Sequence, residues 1–407
     1  MTFEYTPGQK SAIDAGVSGK ARVMVINGGP GTGKTTIIRE VCRQLTDKRI
    51  SFAMATPSGR AAKRIIEATG FYCSTIHSLL GAKKGRGGGF IFTADENNPL
   101  IYDCLILDES GMIQIHLMKA IMKAIDPTRT RIIMVGDYDQ LAPVGVGFPF
   151  RDIIHSAVIP VYTLDRAHRF LAASRIADAC DRIKNGQKFE VSPGKIDPDA
   201  GENLRHIESI PNNFIGNCIS ILKWAASNNH DPIWDIQILS TTNKRGQASV
   251  ANINTQISNA IFPGRGDARY VPGDKVIYLK NEQVSGTSVV NGDIGKILEV
   301  VDKKVVVQFF NPDRVVTTKQ SNKQLMLAYG ATVWKYQGSE VPFVIFPVMK
   351  ENAFQMNRNL LYTGISRAIK GCFIVGSLTT AYVAINKTQA DRVTGLRQKL
   401  KEIFAAF

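Results

Sequence analysis

Eight residues, Gly28-Gly29-Pro30-Gly31-Thr32-Gly33-Lys34-Thr35, restrict the fold of this chain more than any other stretch. They satisfy G-x-x-x-x-G-K-[ST] in full. Before them, Val23-Met24-Val25-Ile26 is a short β-branched run that reads as a buried parallel strand. After them, Ile37, Ile38, Val41 and Leu45 recur at helical spacing. Strand, glycine loop and helix together form a phosphate cradle. The glycines let backbone N–H groups turn toward an anion, and the helix beginning near Lys34 adds the positive end of its dipole. Lys34 is placed to reach the β- and γ-phosphates of a nucleoside triphosphate, and the Thr35 hydroxyl to hold Mg²⁺.

With 407 residues the chain is long enough for two or three domains. A hydrophobic share of 44% and a charged share of 21% are ordinary for a globular protein. The net charge of +15, from 50 Lys and Arg against 35 Asp and Glu, is not ordinary and suggests a polyanionic partner such as nucleic acid. Six scattered cysteines with no C-x-x-C pair read as reduced thiols of a cytosolic protein. Cys73 and His77 lie close in sequence, but nothing supplies the other half of a zinc site. No apolar run suits a signal peptide or a membrane span.

Along the chain, Gln9 precedes the phosphate loop and offers an amide that can read an adenine edge. A second strand, Ile50–Ala55, ends in Thr56-Pro57-Ser58-Gly59, and the following helix carries Arg60, Lys63 and Arg64. Hydroxyl and backbone donors at such a helix start suit a strand phosphate. His77 follows in Ser74-Thr75-Ile76-His77-Ser78. Gly81 to Pro99 then breaks the α/β rhythm with Lys83, Lys84, Arg86 and Gly85, Gly87, Gly88 and Gly89 ahead of Phe90-Ile91-Phe92, which suggests a basic hairpin. Alternation should pack one of the two phenylalanines back on the first domain and leave the other outside.

Leu105-Ile106-Leu107-Asp108-Glu109 is an apolar strand capped by two acids. Catalytic groups of parallel sheets lie at carboxyl ends, so Asp108 can hold the metal already touched by Thr35 while Glu109 takes a proton from attacking water. A further strand, Arg131–Val135, leads to Asp137 and Gln140, which spacing alone leaves as phosphate sensors or loop caps. Arg166, His168 and Arg169 cluster downstream. A second α/β region starts at Ile236–Ser240, and between Val271 and Thr318 short strands separated by turn signals read as a small β-barrel inserted into it.

The ordered set resembles superfamily 1 helicases of the RecD/Dda group over nearly the full chain. Gln9 resembles the adenine-reading glutamine, Gly28 to Thr36 the Walker A loop, Thr56 to Lys63 and Ser74 to His77 two strand-contacting motifs, and Asp108-Glu109 the Walker B pair. Asp137 with Gln140 resembles the sensor motif, and Arg169 the fourth-motif arginine. Ala331 to Glu340, with Thr332, Trp334, Lys335, Gly338 and Glu340, resembles the fifth motif. Leu361 to Ala368, with Arg367, resembles the sixth. Trp334 stands where the group often has histidine, and Ala142 where proline is common.

The resemblance implies an α/β protein of two RecA-like parallel-sheet P-loop domains, residues 1–80 with 100–150 and 151–264 with 329–407. A hairpin insertion (81–99) would interrupt the first, and an SH3-like barrel insertion (265–328) the second. It implies ATP and Mg²⁺ at the domain junction, with Lys34, Thr35, Asp108 and Glu109 from one side and Arg169 and Arg367 from the other. It further implies 5′→3′ movement on single-stranded DNA, unwinding at a fork by Phe90 or Phe92, and a monomer of the compact phage type. Such a monomer would work in the cytoplasm beside a single-strand-binding protein or replisome components, and away from membranes. A metabolic P-loop kinase would not need the residues around Arg367. An ATP-binding clamp would tolerate loss of Glu109, and a GTPase is disfavoured because Asn243-Lys244-Arg245-Gly246 is not N-K-x-D. A single-strand- or RNA-stimulated ATPase without strand separation remains the alternative.

Overall fold

The computed structural model describes residues 4–85, 89–164, 174–310, 313–389, 392 and 394–405. The chain divides into two units, Met1–Arg169 with Ala390–Phe407, and Phe170–Gln389.

The first unit is built on six strands: β1 (Val23–Gly28), β2 (Phe52–Thr56), β3 (Ser74–Thr75), β6 (Cys104–Leu107), β7 (Arg131–Gly136) and β8 (Val161–Leu164). All pair in parallel in the order β3-β2-β6-β7-β1-β8. Buried on both faces, β6 and, after Arg131, β7 read as apolar runs rather than alternations. Helices α1 (Pro7–Ser18), α2 (Lys34–Asp47), α3 (Gly59–Thr69), α4 (Ile76–Leu79), α5 (Ile115–Lys123) and α6 (Pro149–Ser156) join the strands. In α2 the buried residues are Ile37, Ile38, Val41, Cys42 and Leu45, one stripe of a 3.6-residue period. Strands β4 (Lys83–Lys84) and β5 (Phe90–Ile91) form the expected hairpin, with Lys84 opposite Phe90.

The sequence division at residue 150 is corrected. Strand β8 belongs to the first unit because it covers the open edge of β1, with Val25 opposite Val161 and Gly28 opposite Leu164. Without it β1 would be an edge strand with a row of unpaired backbone groups. The C-terminal residues also leave the second domain that the sequence assigned to them. Thr394 Oγ1 donates to Asp152 Oδ2 at 2.6 Å, Arg397 Nε donates to the His155 carbonyl at 3.2 Å, and Leu396 and Leu400 pack on the first core.

The second unit holds α7 (Arg175–Lys184), β9 (Leu204–Ile207), α8 (Phe214–Ser227), β10 (Ile236–Ser240) and α9 (Val250–Ile261) ahead of its insertion. The insertion comprises β11 (Lys275–Tyr278), β12 (Glu282–Val284), β13 (Thr287–Val289), β14 (Ile294–Val301), β15 (Lys304–Phe309), β16 (Arg314–Lys319) and β17 (Leu325–Leu327). The chain then returns through β18 (Gly330–Thr332), β19 (Val341–Val348), α10 (Arg358–Ile365), β20 (Ala368–Gly376) and α11 (Leu378–Ile385), before α12 (Leu396–Ala405) joins the first unit. The main sheet is parallel in the order β18-β10-β19-β20-β9. The insertion is an antiparallel sheet, β16-β15-β14-β11-β17, around its own core of Tyr278, Ile297, Val305, Val307 and Phe309.

A buried polar group fixes that insertion to the sheet that carries it. Arg265 Nη2 lies 2.5 Å from Asp274 Oδ2, with the two side chains 5% and 0% exposed. Tyr329 Oη donates to Asp274 Oδ1 at 2.8 Å from the return strand, and Lys275 Nζ donates to the Ile233 and Ile236 carbonyls. Removing one partner of such a pair leaves an uncompensated buried charge and costs about 3–5 kcal/mol. Asp274→Ala is therefore expected to lower stability by that amount in denaturant unfolding, and a loss below about 1 kcal/mol would show that water reaches Arg265.

Candidate functional site

The phosphate loop leaves the carboxyl end of β1. Its glycines are needed for room and for backbone angle: a Cβ on Gly28 would stand 2.6 Å from Thr32 Oγ1, and Gly31 and Gly33 have φ of 75° and 89°. Lys34 Nζ folds over the loop and donates to the Gly28 and Gly29 carbonyls at 2.6 and 2.9 Å. Thr32 Oγ1 closes the turn on the Gly29 carbonyl at 2.9 Å. Gly29, Pro30, Thr35 and Thr36 are half-buried around this turn.

Gln9, expected as an adenine reader, is engaged with the loop itself. It is 1% exposed, its Nε2 donates to the Thr32 carbonyl at 3.0 Å, and its Oε1 accepts from the Thr6 amide at 3.0 Å. The amide thus braces the loop and closes the capping box at the start of α1. This leaves one N–H for a base edge.

Three adjacent parallel strands, β6, β7 and β1, put their following loops at one edge, with Leu107 opposite Met134 and Val25 opposite Met134. Asp108 leaves β6 there, 7% exposed, its amide donating to the Ala55 carbonyl at 3.0 Å. Burial, and then the charge of Glu109, push its carboxyl well above the usual carboxylate range, while Lys34 and Arg64 pull it down. Glu109 sits at φ 51° and ψ 37°, a left-handed conformation that a non-glycine residue adopts only where the surroundings hold it. The turn beneath it is tight: Ser110 Oγ donates to the Leu107 carbonyl at 2.8 Å, and Gly111 and Gly136 approach so closely that a Cβ on Gly136 would meet Gly111 N at 3.0 Å.

After β7, Asp137 accepts from the Asp139 amide at 3.0 Å and from Gln140 Nε2 at 3.3 Å. Both side chains are buried, and the loop-cap geometry that spacing left open is present. Asn27, at the end of β1, accepts from the Tyr138 amide at 3.2 Å and links the phosphate loop to this sensor loop. That link was missed in the sequence because it joins residues 111 positions apart.

In the strand-contacting motifs, Thr56 Oγ1 donates to the Ser58 carbonyl at 2.8 Å, and Ser58 Oγ accepts from Ala61 N at 3.2 Å as the cap of α3. These hydroxyls shape the turn. Pro57, Arg60 and Lys63 are half-buried beside them. The His77 ring packs edge-on against Phe90 (4.8 Å between centroids) and tilted against Phe92 (5.9 Å), and burial lowers its pKa. Phe92 joins the first core. Phe90 is left outside at 58% exposed, and Ile91 beside it is 63% exposed, so the hairpin shows two neighbouring apolar side chains. Ile91 was missed because a two-stranded ribbon carries no core of its own to bury it.

In the second unit the fifth and sixth motifs meet. Arg367 is 2% exposed; its Nη1 donates to the Ser339 carbonyl (3.4 Å), Nε to the Thr363 carbonyl (3.1 Å) and Nη2 to Ser366 Oγ (3.3 Å). All three acceptors are neutral. Gly338 is buried with φ 71°, and Glu340 is half-buried next to Ser339. Thr332 is buried at the end of β18 and accepts from the Lys335 amide at 3.3 Å; Trp334 is half-buried and Lys335 exposed. Desolvation lowers the pKa of Lys335. Arg86, Arg166, His168 and Arg169 lie outside the described residues. Among the described residues no three His, Cys, Asp or Glu side chains converge as a metal cluster, and no helix is long and apolar enough to cross a membrane.

Residues 4–193 match the family model described as AAA domain, and residues 327–375 that of the UvrD-like helicase C-terminal domain. The ATP-dependent RecD2 DNA helicase of Deinococcus radiodurans is 29% identical over 390 residues, 93% of this chain and 50% of that protein. The RecBCD enzyme subunit RecD of Mycolicibacterium smegmatis is 27% identical over 436 residues, 98% of this chain and 75% of that protein. The chain thus spans half the length of the Deinococcus relative and three quarters of the mycobacterial one. Among solved structures, Pif1 helicase from Bacteroides in complex with ADP-AlF3 and ssDNA shares the fold at a TM-score of 0.60 and 17% identity, covering 99% of this chain and 98% of that one. With both family models in this order, and relatives aligned across nearly all of its length, the chain is similar throughout to the RecD-like group of superfamily 1 helicases.

Proposed function

We propose that the chain hydrolyses ATP to move 5′→3′ along single-stranded DNA and to open duplex DNA at a fork. The observation that supports this most is the convergence of Lys34, Asp108 and Glu109 on one sheet edge, from the loops after two strands of a single parallel sheet. Lys34 neutralises the β- and γ-phosphates in place of the loop carbonyls it now contacts. Glu109, held by its constrained turn, accepts the proton of the attacking water.

The residues fit a divalent cation. Asp108 is a buried carboxylate whose ionised form is penalised by burial, and a cation would relieve that penalty. Thr35 and Asp108 would hold Mg²⁺, which would supply charge neutralisation across the phosphates. Arg367 is a buried cation with neutral acceptors, so an anion is the partner its charge lacks among its hydrogen bonds. In this reading Arg367, joined by Arg169, meets the γ-phosphoryl group. Names of the relatives support DNA as the track.

Strand separation needs an apolar wedge, and the exposed pair Phe90 and Ile91 supplies it, with Lys83 and Lys84 on the facing strand for fork phosphates. Opening one base-pair step costs roughly 1.4 kcal/mol of stacking, which a stacked ring offsets in part. The double variant Phe90→Ala, Ile91→Ala is expected to keep DNA-stimulated hydrolysis while opening of a 5′-tailed duplex falls at least about tenfold, the equivalent of one such step. Unwinding assays on 5′-tailed and 3′-tailed duplexes test the proposal. Wild-type opening of only the 3′-tailed substrate would reverse the polarity, and an undiminished rate in the double variant would place the wedge elsewhere.

A further inference from the structure

The second sheet carries an exposed aromatic side chain that the motor described so far does not use. Strands β10, β18 and β19 run parallel, with Ser240 opposite Thr332 and Ile238 opposite Ile345. The segments that follow them therefore leave the sheet along a common carboxyl edge, where open parallel sheets bind their ligands. In the segment after β19, Phe354 is 76% exposed, whereas Asn352 and Met356 on either side are buried. Tyr72 is as exposed, but it precedes its strand β3 and so lies at the opposite edge of its own sheet.

The backbone beneath Phe354 is fixed. Residues Lys350–Asn352 form a single 3₁₀ turn, Gln355 N donates to the Asn352 carbonyl at 3.1 Å, and Lys387 Nζ donates to the Ala353 carbonyl at 3.2 Å. The segment after β10 is tied to it, since Gln247 N donates to Glu351 Oε1 at 3.0 Å. Exposed on these two segments are Lys244, Arg245 and Lys350, against Glu351 alone among acids, so the surroundings of the ring favour an anion. An exposed ring on a segment whose exposed charges are mostly cationic matches a nucleotide, whose base stacks while its phosphates meet the charges.

We propose that Phe354 is a stacking platform for one base of a single DNA strand, with Lys244, Arg245 and Lys350 facing the adjoining phosphates. The proposal rests on the reading of the chain as a single-strand-binding motor. Stacking on an aromatic side chain accounts for roughly a fivefold to hundredfold gain in affinity per base. It releases no counterion, so its loss leaves the salt slope of binding unchanged, whereas loss of a lysine–phosphate contact makes that slope shallower by about 0.7.

Fluorescence anisotropy of a labelled oligo-dT strand, titrated with the full chain at several salt concentrations, tests this. Phe354→Ala is expected to weaken binding within that range at every salt concentration, with parallel log–log lines, while Phe354→Trp binds within about twofold of wild type. On an abasic strand of the same length, wild type and Phe354→Ala should bind alike. Oligo-dT binding by Phe354→Ala equal to wild type overturns the platform while leaving the motor intact, as does an equal deficit on the abasic strand. Wild-type protein that fails to bind oligo-dT at all overturns the motor reading and the platform with it.

Discussion

Arg367→Ala is expected to slow steady-state ATP hydrolysis about 10³–10⁵-fold at saturating ATP and single-stranded DNA, the range that an arginine finger contributes to phosphoryl transfer. The guanidinium cannot shed its proton, and it is held in a buried position by two carbonyls and one hydroxyl. Nothing in that set neutralises it, so the site is organised around a charge whose counterpart is an anion. In the proposed mechanism that anion is the γ-phosphoryl group, whose charge spreads over its equatorial oxygens as the bond breaks. Arg367→Lys keeps the charge but loses the planar fork, and it should recover only part of the rate. Phosphate release within tenfold of wild type in Arg367→Ala would remove this residue from the mechanism.

The second large effect concerns Glu109. Glu109→Gln preserves shape and hydrogen-bonding reach but cannot accept a proton, so hydrolysis should fall about 10²–10⁴-fold while ATP affinity stays near wild type. The left-handed backbone at this residue, closed beneath by Ser110 and the Gly111–Gly136 approach, fixes the point from which the carboxylate projects. Lys34→Ala should behave differently, losing ATP affinity as well as rate, because its ammonium group sits in the cradle itself. Nucleotide titration together with single-turnover hydrolysis separates the two. Equal loss of affinity in Glu109→Gln would assign that residue to binding rather than to proton transfer.

The elements that carry Lys34 and Glu109 were legible in the sequence because their signals are local. Glycines at fixed offsets, a β-branched run and a helical stripe specify β1, the loop and α2 without help from elsewhere. An apolar run ending in Asp108-Glu109 likewise declares a strand with acids at its carboxyl end. What was not legible depends on partners far along the chain. Gln9 becomes a brace only because the Thr32 carbonyl is 23 positions away, and β8 joins the first sheet only because β1 has an edge to cover. The C-terminal helix offers no local sign that Thr394 and Arg397 meet Asp152 and His155. Phe354 reads in the sequence as one more apolar residue near a strand, and only its exposure sets it apart. At Thr56 and Ser58 the motif was legible, but its hydroxyls close a turn, which spacing cannot distinguish from donation to a ligand.

Steady-state ATP hydrolysis by the full chain, measured with Mg²⁺ and either single-stranded DNA, RNA or no polymer, tests the central claim most directly. The proposed motor predicts slow hydrolysis alone and a large rise with single-stranded DNA, abolished in Lys34→Ala. A rate that is the same with and without DNA, or no hydrolysis in the presence of single-stranded DNA, would contradict it.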